Sequence, residues 1–147
     1  MNLNRKNLLI VAPLIFAGIY VFFFQAAYPQ WNKFRKLTFE GAHTNGQVIA
    51  KEPANHQSIR YDFAVGANHF SGVGNANRGG LQGFDQIGIG DTISVTYLPN
   101  QPEISVPGDA AELFHSWSGL LFVILPIFSF VATGFLFWRL LKKLPKS

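Results

Sequence analysis

The sequence predicts a membrane protein of the α+β class: two transmembrane helices flanking a small antiparallel β domain of sandwich-like or barrel-like form. Three observations carry this. Residues Leu8 to Ala27 and Trp117 to Trp138 are apolar runs without a charged side chain, each long enough for the roughly 20-residue helix that crosses a bilayer. Between them lie short stretches of alternating apolar and polar residues bounded by glycine, asparagine and proline, the pattern of half-buried strands joined by tight turns. All eight acidic residues sit in this middle part with six of the twelve basic ones, so the middle carries −2 and the net +4 belongs to the tails.

The elements follow in order. Residues 1–7 form a basic tail containing Arg5 and Lys6, and residues 8–27 form the first span. A cleaved signal peptide is the competing reading, but the run is long and rich in phenylalanine and has no small-x-small pattern before Tyr28. Residues 28–40 extend the helix beyond the bilayer with Trp31 and Phe34 on one face, until Gly41 breaks it. The β domain covers 41–108. Its first strand is Thr44 to Lys51, and its second, Ser58 to Val65, places Ile59, Tyr61, Phe63 and Val65 on one face. Gly66 to Asn68 is a hairpin turn. The strand "HFSGVG" returns from it with Phe70 inward, and Asp91 to Leu98 is the last strand, closed by the turn "PNQP". Residues 109–141 form a helix that contains the second span, 117–138, with Asp109 as N-cap, Glu112 at its third position, and Trp117 and Trp138 as interfacial anchors. Residues 142–147 are a second basic tail.

Basic residues flank spans on the cytoplasmic side. Arg5 and Lys6 at one end, and Arg139, Lys142, Lys143 and Lys146 at the other, place both termini in the cytoplasm and the β domain in the periplasm or outside. Lys33, Arg35 and Lys36, beside the outer end of the first span, count against this and are outnumbered. Pro13 and Pro126 fall inside the spans and predict kinks rather than a gate. Gly18, Ser116, Gly119, Ser129, Thr133 and Gly134 are small residues suited to close helix contacts. Neither span holds an ionisable side chain, which argues against a proton relay, an ion pathway or a transporter core.

The succession "HTNGQVI", "IRYDFAVGANHFSG" and "IGIGDTISVTYLPNQPEISVPG" between two spans resembles the bacterial membrane-protein family catalogued as domain of unknown function 3592. Thr44, Gly46 and Val48 match its opening strand, and Tyr61, Gly66 and Gly72 match its hairpin. Gly90, Asp91, Ile93, Val95, Tyr97, Pro99 and Pro102 match its close. Phe70 stands where the family has an aromatic residue, often Tyr, and the loop from Asn75 to Ile89 departs from the pattern. The resemblance covers about residues 40–108. It implies a membrane-tethered β domain in the bacterial inner membrane, with no catalytic residues to carry over.

No catalytic, cofactor-binding or metal site is predicted. The chain has no cysteine, and His43, His56, His69 and His115 form no short-spaced pair. No Gly-x-Ser-x-Gly occurs. The −2 charge of the domain excludes the clustered basic surface that nucleic acid requires. The glycine-rich stretch 74–91 lacks the Gly-Lys-Ser/Thr and strand-to-helix context of a phosphate loop. It reads either as a flexible connection or as a partner-binding loop presenting Asn75, Asn77, Arg78, Leu81 and Phe84. The expected function is a membrane-anchored, non-catalytic accessory protein. Its partners are the lipid bilayer and another membrane or envelope protein, with a homo-oligomer left open. The alternative is an immunity protein against a bacteriocin or secreted effector.

Overall fold

The computed structural model describes residues 5–143, with side chains for 11–142. Lys146 and the side chains of Arg5, Lys6 and Lys143, on which the expected orientation partly rests, lie outside the described residues. The chain divides into two compact units, one from residues 5–29 and 118–143, the other Gln30–Trp117. Helix α1 (Arg5–Glu40) runs from the first unit into the second, and Pro13 and Pro29 lie within it without ending it. Among the described residues, two helices are long and apolar enough to cross a membrane.

Helix α2 (Ala110–Gly119) starts in the second unit and continues into the first, through one π-helical turn (Leu120–Ile124) into α3 (Leu125–Lys143). Pro126 accounts for that turn. It has no N–H for the carbonyl four residues back, and its ring crowds that carbonyl. The helix widens, and the Leu125 N–H bonds Leu120 O, five residues back. The hydroxyls of α3 are satisfied within the helix: Ser129 Oγ donates to Leu125 O at 2.9 Å and Thr133 Oγ1 to Ser129 O at 2.8 Å. Phe23 of α1 and Phe128 of α3 meet edge to face at 5.7 Å. Of the small residues expected at helix contacts, Ser129 and Thr133 are buried. Gly18, Gly119 and Gly134 face open space. The outward surface is apolar, with Phe130 at 74% and Leu14 and Phe22 at 68% exposure.

The second unit is built on five antiparallel-paired strands: β1 (Ala42–Glu52), β2 (Ser58–Val65), β3 (Asn68–Asn75), β4 (Thr92–Leu98) and β5 (Gln101–Pro107), in the order β3-β2-β1-β4-β5. Strand β1 is shared. Its Ala42–Gln47 stretch pairs with β4 and its Gly46–Glu52 stretch with β2, and a bulge between Val48 and Ala50 bends it between the two. The outer strands β3 and β5 come side by side without a hydrogen-bonded ladder, so the sheet is nearly closed. Each successive pairing is antiparallel, which makes β3 and β5 mutually parallel. Read around the nearly closed sheet, the cyclic order is 1-2-3-5-4.

The expected alternation places Ile59, Tyr61 and Phe63 of β2 and Ile93 and Val95 of β4 in the barrel core with Val48. Val65, Phe70 and Tyr97 pack against that core. Gly66, at φ 61°, occupies the first central position of the two-residue β2–β3 turn, where a hairpin of this length favours positive φ. Strand β5 corrects the expectation of four strands. Pro102 and Pro107 make its sequence read as a turn, but β5 pairs by hydrogen bonds with β4 alone, and proline is tolerated on an edge.

Tyr61 closes the seam. Its ring lies over Gly72 of β3, where a Cβ would overlap the ring carbons. Its hydroxyl bonds Ser105 Oγ of β5 at 3.0 Å. Gly74 likewise leaves room for the Pro107 ring. A second core lies outside the barrel wall, where Phe34 and Leu37 of α1 meet Leu98 and Val106 of the β4–β5 pair and Ala110 and Leu113 of α2. Asp109 caps α2 as expected, its Oδ1 accepting the Ala111 N–H at 2.8 Å.

Replacing Gly72 with alanine should destabilise the β domain by about 1–3 kcal/mol, the usual cost of overpacking a filled core. Thermal unfolding of the full-length protein in detergent checks this, and an unchanged midpoint would contradict the packing. Burial pushes the Tyr61 hydroxyl up to about 12, and the Ser105 hydrogen bond only partly offsets it. A pKa raised on folding gives stability that is complete below the unfolded value near 10 and is lost as pH rises through about 12. Wild-type protein should therefore lose stability across that alkaline window, and Tyr61→Phe should remove this component, as denaturation measured against pH would reveal.

Candidate binding site

Of the five loop residues expected to meet a partner, two build the domain interior. Phe84 is buried and Leu81 packs beside it, so the 76–91 connection enters the barrel with Ala76, Phe84 and Ile87 as its inserted side chains. Lys51 Nζ lies 4.5 Å from the Phe84 ring centroid. Asn77 holds the loop in shape. Its backbone N–H donates to Asn75 Oδ1 at 2.8 Å, its Nδ2 to Gln57 Oε1 at 2.6 Å, and its Oδ1 accepts the Phe84 N–H at 3.0 Å. Asn75 Nδ2 donates to His56 O at 2.8 Å. Gly79, at φ 71°, accepts the Asp109 N–H at 2.7 Å, which ties the loop to the start of α2. This is a pinned plug rather than a slack connection.

Asn75, the last residue of β3, and Arg78 of the connection line a pocket of about 180 Å³. Four elements converge there. Helix α1 contributes Gln30, Lys33 and Phe34, β3 contributes Val73 and Gly74, β5 contributes Val106 and Pro107, and α2 contributes Leu113 and Trp117. The site exists because β3 and β5 have no ladder between them, so the seam is covered by helix side chains instead. Phe34, Val106 and Leu113 form its apolar floor.

Its electrostatics are one-sided. Lys33 is half-buried, and loss of water lowers its pKa from the usual lysine value. Arg78 is exposed at the rim. Among the described residues, neither cation has an acidic group within ion-pair distance. Arg60 differs, because Glu52 Oε1 holds it at 2.9 Å. Glu103 lines an adjoining cleft with Lys33, Arg60 and Ser105 and is not part of this pocket.

Sequence reasoning did not place Lys33 in a site, because a charge beside an apolar run reads as a topology signal. The available clue was that Lys33 and Phe34 follow Trp31 on a helix that continues past the span.

The histidines are dispersed. His56, His69 and His115 are exposed on the β1–β2 turn, β3 and α2. His43 Nδ1 lies 3.2 Å from Thr96 Oγ1, which itself donates to Gly108 O at 2.8 Å and so is left to accept from the ring. Among the described residues, no three His, Asp or Glu side chains gather to hold a metal ion. One other polar feature stands out on the sheet face. Asp62, with a buried and unpaired Oδ1, borders a shallow depression with Asn45, Gln47 and His69.

No family model, curated protein or solved structure matches the chain.

Replacing Asn77 with alanine removes the two hydrogen bonds of its side chain and should cost about 1–3 kcal/mol, concentrated in the plug. Hydrogen exchange should then accelerate at the Phe84 amide and its neighbours while the β2–β3 amides keep their protection. Equal acceleration throughout the barrel would show that the loop has no separate anchoring.

Proposed function

We propose that the chain is a membrane-anchored, non-catalytic accessory protein. Two helices span the bilayer with both termini in the cytoplasm, and the β domain docks onto another membrane or envelope protein on the outer side. The observation that carries the membrane part is the surface of α1 and α3. Phenylalanine, leucine and valine face outward along both helices, while the Ser129 and Thr133 hydroxyls are satisfied by the helix backbone. Such a surface is unfavourable in water over a large contiguous area and suits hydrocarbon. At the end of α3, Lys142 Nζ lies 3.7 Å from the Trp138 ring centroid and Arg139 lies over Phe135, the pairing of cation and aromatic side chain typical of a membrane boundary. The resemblance to the bacterial family supports placement in the inner membrane.

The docking part rests on the domain between the helices. It is a barrel with a pinned plug, and it keeps exposed apolar side chains at Val73 on β3 and Ile89 on the loop. Exposed Arg78 lines the same pocket as Val73, so a polar and apolar rim is available to a protein partner.

Photo-crosslinking residues placed at Val73, Arg78 and Ile89 test this in native membranes. Discrete adducts with one protein should form from these positions and not from Ala64, which is exposed on β2. Adducts of equal yield from Ala64, or none from any position, would refute the docking face.

A further inference from the structure

We propose that the pocket between α1, β3, β5 and α2 binds the phosphate of one anionic phospholipid headgroup, with Lys33 and Arg78 as its cationic contacts. The inference rests on the membrane reading above and adds a ligand to it.

Charge complementarity is the first argument. Two cations without an acid at ion-pair distance among the described residues border one pocket, and an anion is the ligand that pays for the dehydration of Lys33. Shape is the second. The space of about 180 Å³ holds a phosphate and a few carbons rather than a nucleotide or an extended polyanion, and its floor of Phe34, Val106 and Leu113 suits the glycerol and first methylenes of a lipid. The −2 charge of the domain also disfavours a polyanion.

Depth is the third. Lys33 follows Ala27, the last residue of the apolar run, by less than two helical turns, a rise of about 9 Å. Its side chain therefore reaches the headgroup layer that borders a hydrocarbon core of about 30 Å. Trp117, which opens the second apolar run, lines the same pocket. Gln30 adds an amide donor. Asn75 shapes the wall only, since its side chain is committed to His56 and Asn77. An ammonium headgroup finds no carboxylate in this pocket, so the preference is for phosphatidylglycerol over phosphatidylcholine or phosphatidylethanolamine.

Native mass spectrometry of the full-length protein in mild detergent, offered equal amounts of phosphatidylglycerol and phosphatidylcholine, tests the site. The wild type should retain one phosphatidylglycerol in preference to phosphatidylcholine. The pair Lys33→Gln and Arg78→Gln should lower that occupancy about tenfold or more, the effect of losing a charge-assisted contact. Lys33→Arg should retain it, and so should Arg35→Gln and Lys36→Gln, which alter neighbouring cations outside the pocket. Equal retention by the double variant, or equal retention of the two lipids, overturns the proposal. Release of the bound lipid by excess inorganic phosphate also overturns it and assigns the pocket to a soluble phosphate. Flotation with zwitterionic liposomes at alkaline pH reports insertion separately. A chain that floats without preferring the anionic lipid loses the lipid site and keeps the membrane anchor, whereas a chain that stays in the pellet loses both.

Discussion

The β domain depends on how one gap is closed. Five strands paired in the order β3-β2-β1-β4-β5 leave two parallel edges, β3 and β5, side by side without a ladder. Tyr61 spans that gap from β2, passing over Gly72 to reach Ser105. A side chain at position 72 would displace the ring, and without the ring the largest fully buried side chain of the barrel is gone. Glycine on β3 and tyrosine on β2 are therefore one device: the first supplies room and the second fills it with a group whose hydroxyl has a partner.

The same incomplete closure explains the pocket. Where ladder hydrogen bonds would have sealed β3 to β5, side chains from the end of α1 and the start of α2 cover the seam. Those helix ends are anchored through Phe34, Leu37, Ala110 and Leu113 on the outer wall of β4 and β5. Lys33 is carried to the seam by its neighbours on α1, and burying Phe34 one residue later holds it there half-dehydrated. Fold and site thus share a cause. The barrel is stable without an edge ladder because helices pack on it, and the seam gathers two cations that, among the described residues, have no acid within ion-pair distance.

The strands with one buried face were legible because alternation has physical content: Ile59, Tyr61 and Phe63 point inward and Arg60 points out. The helix extension to Glu40 and the Asp109 cap were legible from Gly41 and from local capping chemistry. Strand β5 was not, because Pro102 and Pro107 mimic a turn unless it is known that the strand lies on an edge. The plug was hidden for a different reason. Phe84 and Ile87 are separated by loop residues without periodicity, so nothing local distinguishes an inserted side chain from an exposed one. Asn75 and Arg78 were expected in a site and line the pocket, but their companions Lys33, Val106 and Leu113 come from three distant elements that only the tertiary fold assembles.

The central proposal is that the two apolar helices span a membrane and that the β domain lies on its outer side. The chain has no cysteine, so single cysteines report position without interference. Labelling with a membrane-impermeant maleimide in intact cells should modify a cysteine at Asn100, in the exposed turn between β4 and β5, and should spare one at Ser147 until the cells are permeabilised. Labelling of Ser147 but not Asn100 would invert the topology, and equal labelling of both before and after permeabilisation would remove the membrane from the account.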